Sequence, residues 1–167
     1  MILKVIQIIG TNFLKLKMLS KLILDNFLFK ILPKKKFIFG EGCVVRYTLF
    51  EIRWLCSVYF HHVQTLHQDR FHTHAFNALA LILRGGYNEC VKIGIGPNKK
   101  TYNQSFKAGQ FRWIPRELNH KLLEAKPNSV SLLLTGPYST IWTEELDNGE
   151  VKVITKHQKI LYQGKNV

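Results

Sequence analysis

The chain has 167 residues, which suits one domain with a substantial core plus one appendage. Lys and Arg total 24 against 11 Asp and Glu, a net +13 that suits phosphates, nucleic acid, an anionic membrane surface or simply a solvated basic face. Three cysteines, Cys43, Cys56 and Cys90, are an odd number without a CxxC pair; they exclude a zinc ribbon and point to reduced thiols in a cytoplasmic protein rather than a disulfide framework.

Over half the excess charge sits in the first quarter of the chain, where residues 1–40 carry eight Lys and one Asp. Within residues 1–32, Leu14, Met18, Leu22 and Leu24 recur at roughly helical spacing, interrupted by Lys15, Lys17, Lys21 and Lys30. The spacing predicts a basic amphipathic helical segment, assigned to residues 1–36. It could pack on the rest of the protein, lie on a membrane surface or bind a partner. No apolar run reaches the roughly 18 residues of a membrane span. Met1 to Ile9 lacks a small-residue cleavage site in the right place, so no signal peptide is expected. Pro33, followed by Lys34-Lys35-Lys36, stops the helix.

From Phe37 the pattern changes to strands. Val44 to Phe50 and Trp54 to Val63 are β-branched and aromatic. Further strands are predicted over 78–83, 89–95, 101–106, 110–114, 120–124, 130–135 and 140–146. Turn residues punctuate them at Gly85-Gly86, Gly96-Pro97-Asn98, Lys107-Ala108-Gly109, Lys126-Pro127-Asn128, Gly136-Pro137 and Asp147-Asn148-Gly149. Short strands with a turn signal every 8–12 residues mean an all-β sandwich or barrel, here over residues 37–155. Residues 156–167 read as a loose C-terminal tail.

Two stretches carry the chemistry. In the first, His72 and His74 lie two residues apart, so on a strand they face the same side. An apolar run and a glycine turn, Gly85-Gly86, follow. The second, Gly109 to His120, contains Pro115 and offers His120 as a third ligand. These stretches resemble the two signature motifs of the cupin superfamily: His-x-His, a Glu about five residues on and then a Gly; and Gly-x5-Pro-x-Gly-x2-His-x3-Asn. His72, His74 and Gly86 match the first, and Gly109, Pro115 and His120 the second, across roughly residues 40–150. Leu83-Arg84-Gly85-Gly86-Tyr87-Asn88-Glu89 and Leu134-Thr135-Gly136-Pro137, with Trp142 nearby, are similar to segments of small cupin-like proteins of phage and bacteria. Three positions depart from the superfamily pattern. Leu79 stands where the motif has Glu, Glu117 where it has Gly, and Glu124 where it has Asn.

The resemblance implies an all-β double-stranded β-helix, the cupin jelly roll. It implies a divalent metal on His72, His74 and His120, with Fe(II) the first choice and Zn, Mn or Ni the alternatives. Leu79 should sit near the site without ligating. Three neutral imidazoles leave the full charge of the metal in place and open positions opposite them. Such a site favours an anionic or chelating small molecule. Glu89, Glu124 and Arg112 are the candidate catalytic residues: each could be a general base, a substrate contact or a partner holding an imidazole, or only a charge on a half-buried strand. Phe71, Phe76, Trp113 and Trp142 read as core. His61, His62, His67 and His157 have no motif support.

The functions left open are a metal-dependent enzyme, foremost a non-haem Fe(II) dioxygenase, and a non-catalytic ligand-binding or structural module. A small-molecule ligand, a second copy of the chain, nucleic acid and a membrane surface are the partners considered. The last two rest on charge alone, because no helix-turn-helix or aromatic RNA-binding pattern accompanies it.

Overall fold

The computed structural model describes residues 24–39, 42–65, 68, 70–94, 99–146, 149–155 and 159–165. The chain divides into two compact units, Met1–Lys34 and Lys35–Val167. The described part of the first is a short helical stretch, Leu24–Leu28 and Phe29–Ile31, ending before Pro33. Of the helical segment expected over residues 1–36, residues 1–23 lie outside the described residues.

From Lys34 onward the described chain is built of strands: β1 (Lys34–Phe39), β2 (Gly42–Ile52), β3 (Cys56–Thr65), β4 (Arg70–His72), β5 (Ala78–Arg84), β6 (Gly86–Ile93) and β7 (Lys100–Lys107). They continue with β8 (Phe111–Ile114), β9 (Asn119–Ala125), β10 (Ser129–Thr135), β11 (Ile141–Leu146), β12 (Glu150–Thr155) and β13 (Ile160–Lys165). Lys34–Lys36 therefore begin a strand rather than belonging to the helical segment. The tail expected after Lys156 is instead the edge strand β13, antiparallel to β12. Ile160, Leu161 and Tyr162 are all half exposed there, so no alternation of burial marks the strand in the sequence.

Two sheets hold these strands, in the orders β1-β2-β3-β10-β5-β8 and β13-β12-β11-β4-β9-β6-β7. The pairings are nested. β3 pairs with β10, β4 with β9, β5 with β8 and β6 with β7, all antiparallel. A long hairpin folded so that successive strands alternate between two sheets is a double-stranded β-helix, the jelly roll expected. β1 and β2 extend one sheet, and β11 to β13 extend the other.

The alternation along β5 shows how the core forms. Ala78, Ala80 and Ile82 are each about 1% exposed and face inward, with Tyr59, Leu133 and Ile114 around the two alanines. Leu79 faces out. The Gly85-Gly86 corner carries the chain from one sheet to the other. Both glycines have positive φ, 74° and 143°, and a Cβ on Gly86 would overlap the Phe106 carbonyl oxygen. Arg84 secures the corner by donating from Nε to the Asn128 carbonyl at 2.9 Å. The three cysteines are free thiols. Among the described residues, no helix is long and apolar enough to cross a membrane.

Candidate metal centre

His72 ends β4 and lies directly opposite His120 of β9. His74 lies just past the strand end, where its backbone N–H donates to the Arg116 carbonyl at 2.9 Å. Thr73, between the two, turns the other way, with its N–H donating to the Thr143 carbonyl at 2.9 Å. Extended backbone thus puts both imidazoles on one side, and the pairing of β4 with β9 brings the third to meet them. Ligand-capable nitrogens of His72, His74 and His120 all lie within 4.8 Å of one another, and the three rings pack with centroids 4.9–5.1 Å apart. Nε2 of His74 is 2.8 Å from Nε2 of His120. Two ligands bonded to one ion at about 2.1 Å and at right angles would stand about 3 Å apart, so these side chains fit a divalent metal.

Behind His120 lies Glu89, a fully buried carboxylate. It stands on β6 two residues before Val91, the residue opposite His120. Its Oε2 is 3.0 Å from His120 Nδ1, and its Oε1 accepts from Arg112 at 2.6 Å and from the Gln104 amide. Gln104 is the residue opposite Glu89 on β7, while Arg112 reaches it from β8 in the other sheet. A carboxylate beside Nδ1 favours a proton there, and in the uncharged form of the ring this leaves Nε2 of His120 with its lone pair toward the other imidazoles. The 2.8 Å contact is then a hydrogen bond donated by His74 Nε2.

Burial raises the cost of ionising Glu89. The hydrogen bond and charge of His120, the charge of Arg112 and the Gln104 amide outweigh it, holding the carboxyl below its ordinary 4.5. Burial pushes the His72 imidazole down to about 3, with His120 adding to the effect. It also pushes His74 well below 6.5, reinforced by His72 and His120. Both therefore stay neutral at ordinary pH, the form that ligates metals.

Of the three candidate catalytic residues, Glu89 takes the position of a partner holding an imidazole. Arg112 is its ion-pair partner, with its guanidinium over the Phe106 ring at 5.1 Å. Glu124 does not join the cluster. Four residues on from His120 it would share that face on a regular strand, but the β6–β9 register shifts between Asn88 and Glu89, leaving Glu124 opposite Asn88. It is exposed and lines an outer groove of about 200 Å³ with Lys107 and Lys126. Leu79 is not near the cluster either. It is 37% exposed on the outer face of its sheet, beside Leu134 at 48% and Trp113 at 54%. The core reading of Trp113 is corrected by the same numbers. Phe71 is buried, and Phe76 stacks on His74 at 5.5 Å. Gln104 was not legible as a site residue, since only the register across from Glu89 identifies it. His67 and His157 lie outside the described residues.

No family model matches the chain, and no curated protein matches it. Solved structures do. It is similar to oxalate decarboxylase from Bacillus subtilis at 14% identity and TM-score 0.47, over 67% of this chain and 28% of that one. It is similar to the Clostridium difficile EutQ protein at 15% identity and TM-score 0.43, over 61% and 75%. A recombinant oxalate oxidase in complex with glycolate matches at 17% identity and TM-score 0.40, over 49% and 42%. The match spans less than a third of the oxalate decarboxylase chain. These neighbours are cupin-fold proteins. The nested pairing of β3 to β10 is, by its own topology, a double-stranded β-helix jelly roll.

Proposed function

We propose that the protein is a divalent-metal protein whose centre is held by His72, His74 and His120, and that it acts on a small molecule as a non-haem Fe(II) dioxygenase. The observation that carries the reading is the convergence of three imidazoles, with the Glu89 carboxylate against Nδ1 of one of them. Bound iron would supply a site for dioxygen and electrons for its reduction. The chain's own residues do the rest. Glu89 keeps the proton on His120 Nδ1, so that Nε2 remains a donor of its lone pair. Arg112 and Gln104 hold Glu89 in place. The backbone bond from His74 to Arg116 fixes the third imidazole. With no carboxylate among the three ligands, the charge of the metal is uncompensated there, which favours an anionic small molecule.

The test is elemental analysis of untagged protein, beside a His120→Ala variant. Near-stoichiometric metal in the wild type, falling at least tenfold in the variant while the circular dichroism of the sheet is kept, is the expected result. Iron that is oxidised by air in the presence of substrate candidates supports the oxygenase. No metal above trace in protein refolded with Fe(II), Zn(II) or Mn(II) would return the chain to a non-catalytic ligand-binding module.

A further inference from the structure

One end of the β1-β2-β3-β10-β5-β8 sheet turns an apolar band outward. The register lines up Phe50, Val58, Leu134, Leu79 and Trp113 across β2, β3, β10, β5 and β8, on the outer face. Five strands at about 4.8 Å make this row about 19 Å wide, with Leu134 at its centre. In the next row, Leu132, Leu81 and Phe111 continue the apolar surface. Tyr47 and Phe60 of that second row, and Val130 beyond it, are buried, so the exposed area is bounded. At the other margin the β2–β3 turn adds Trp54, 79% exposed, and Leu55. This turn is fixed by two backbone bonds, Leu55 N–H to the Ile52 carbonyl at 2.9 Å and Tyr138 N–H to the Arg53 carbonyl at 2.8 Å.

The size of the band and its lack of charge identify its occupant. Phe50, Trp54, Phe111 and Trp113 leave about 450 Å² in water, at roughly 200 Å² for a whole ring side chain. Ile52, Leu55, Leu79 and Leu134 add about 200 Å², at roughly 100 Å² of apolar surface each. The total of about 650 Å² exceeds the roughly 300–600 Å² of the largest patch on an ordinary monomer. It is most of the roughly 800 Å² that each partner buries in a standard interface. Neither row contains a charged residue. The charges beside the band cancel: Arg53 Nε pairs with Glu51 Oε1 at 2.5 Å, and Arg116 Nε with Glu117 Oε1 at 2.5 Å. Arg116 is held at this margin by its N–H, which donates to Asn77 Oδ1 at 2.8 Å, two residues before Leu79. The chain carries +13 overall, yet this margin offers no excess of cations to an anionic bilayer. Two copies can meet here without placing like charges against each other.

We propose that this band is the interface of a twofold dimer, in which the outer face of one sheet packs on the same face of a second copy. The inference is independent of the metal reading. A flat, uncharged sheet face matches another of its kind, and two such faces pack about 10 Å apart with their side chains interdigitated. Under twofold symmetry the same patch serves both subunits. Leu134, on the middle strand of the row, then lies near the axis and faces its own counterpart, while Trp113 and Phe111 on β8 reach toward β2 and β3 of the other copy. Away from the band the two +13 chains repel, so salt strengthens the dimer by screening that repulsion.

The test is sedimentation velocity on the full chain from about 1 to 100 μM, a range that brackets micromolar self-association. The wild type should pass from monomer to dimer and no further, and raising NaCl from about 0.1 to 0.5 M should tighten the dimer. Trp113→Ser, which alters a ring half exposed in the single chain, should weaken it at least about tenfold. Leu134→Glu and Leu134→Lys should each leave a monomer, because a charge near the axis meets its own copy. An equimolar mixture of those two variants should recover the dimer, which a misfolded chain could not do. Should either Leu134 variant fail to fold by circular dichroism, Trp113→Ser and Phe111→Ser carry the test. A wild type that is monomeric throughout, or a dimer that these substitutions leave unchanged, overturns the proposal. So does monomeric protein that binds vesicles of phosphatidylcholine and phosphatidylserine through the band, with binding lost in Trp113→Ser; the occupant is then a lipid surface.

Discussion

Replacing Glu89 by Gln removes one charge and little volume from a fully buried position. In the wild type that charge faces Arg112 at 2.6 Å and His120 at 3.0 Å, and Arg112 is only 13% exposed. Taking away one member of a buried pair leaves the other uncompensated, a loss of about 3–5 kcal/mol. The Gln carbonyl still accepts one hydrogen bond, which places the expectation at the low end, near 3 kcal/mol. That is a large share of a domain's usual stability of about 5–15 kcal/mol. Urea unfolding of the metal-free protein reads it as a shift in midpoint at constant slope. The double variant Glu89→Gln, Arg112→Gln should lose less than the two single losses combined, with a coupling of about 1–3 kcal/mol. Metal affinity should fall about 10- to 100-fold, because Nδ1 of His120 loses the carboxylate that fixes its tautomer. The pH dependence has a definite sign. The folded carboxyl titrates below its ordinary 4.5, so its contribution is complete above that value and is lost as pH falls through the lower, folded one. The gap between wild type and variant should therefore close in acid. A variant within 1 kcal/mol of wild type at neutral pH, with unchanged metal affinity, would refute the account of Glu89.

Metal-free protein should also lose stability as pH falls from 6.5 toward 3. His61 and His72 are both held at about 3 by burial, so the unfolded chain binds their protons first; thermal melts at stepped pH check this, and a flat profile over that range contradicts it. Gly86→Ala should cost about 2–4 kcal/mol in urea titration, since the left-handed backbone and the Phe106 carbonyl both oppose a Cβ. Trp113→Ser should change the unfolding free energy by less than about 1 kcal/mol, because the ring lies half exposed on the outer face; a loss near 3 kcal/mol would place it in a core.

How much of this was legible in the sequence follows from what each feature depends on. The jelly roll rests on turn residues and apolar runs, which are local, so β2, β3 and β5 to β11 could be placed closely, whereas the short β4 was marked only by its histidine spacing. The three histidines were legible because strand period and motif spacing put two on one side and the third within reach. Glu89 was visible only as one carboxylate among several, since its tie to His120 depends on the β6–β9 register. The same register misled the reading of Glu124: one extra residue in β9 turns it to the outside, and a bulge has no simple sequence signal. Leu79 was placed by motif counting, whereas the burial of Ala78, Ala80 and Ile82 decides which way it faces. The Tyr59 and Tyr138 hydroxyls meet at 2.8 Å across 79 residues of chain, and nothing local in the sequence joins them.

The position of the carboxylates has a consequence for the proposed chemistry. In this chain the carboxylate nearest the histidines stands behind one of them, at His120 Nδ1, and its charge is shared with Arg112 and Gln104. Glu89 therefore raises the basicity of His120 without neutralising an ion bound by the three imidazoles. A divalent ion held there would therefore keep its full charge toward the interior. Leu79 on the outer face cannot change this, and neither can Glu124 beyond its bulge. Substituting a ligating carboxylate at an inward position of β5, as in Ala80→Asp, should weaken carboxylate binding if it reaches the centre, since it fills an open position and cancels part of the charge. Tighter carboxylate binding in that variant would show that something other than the positive field selects the ligand.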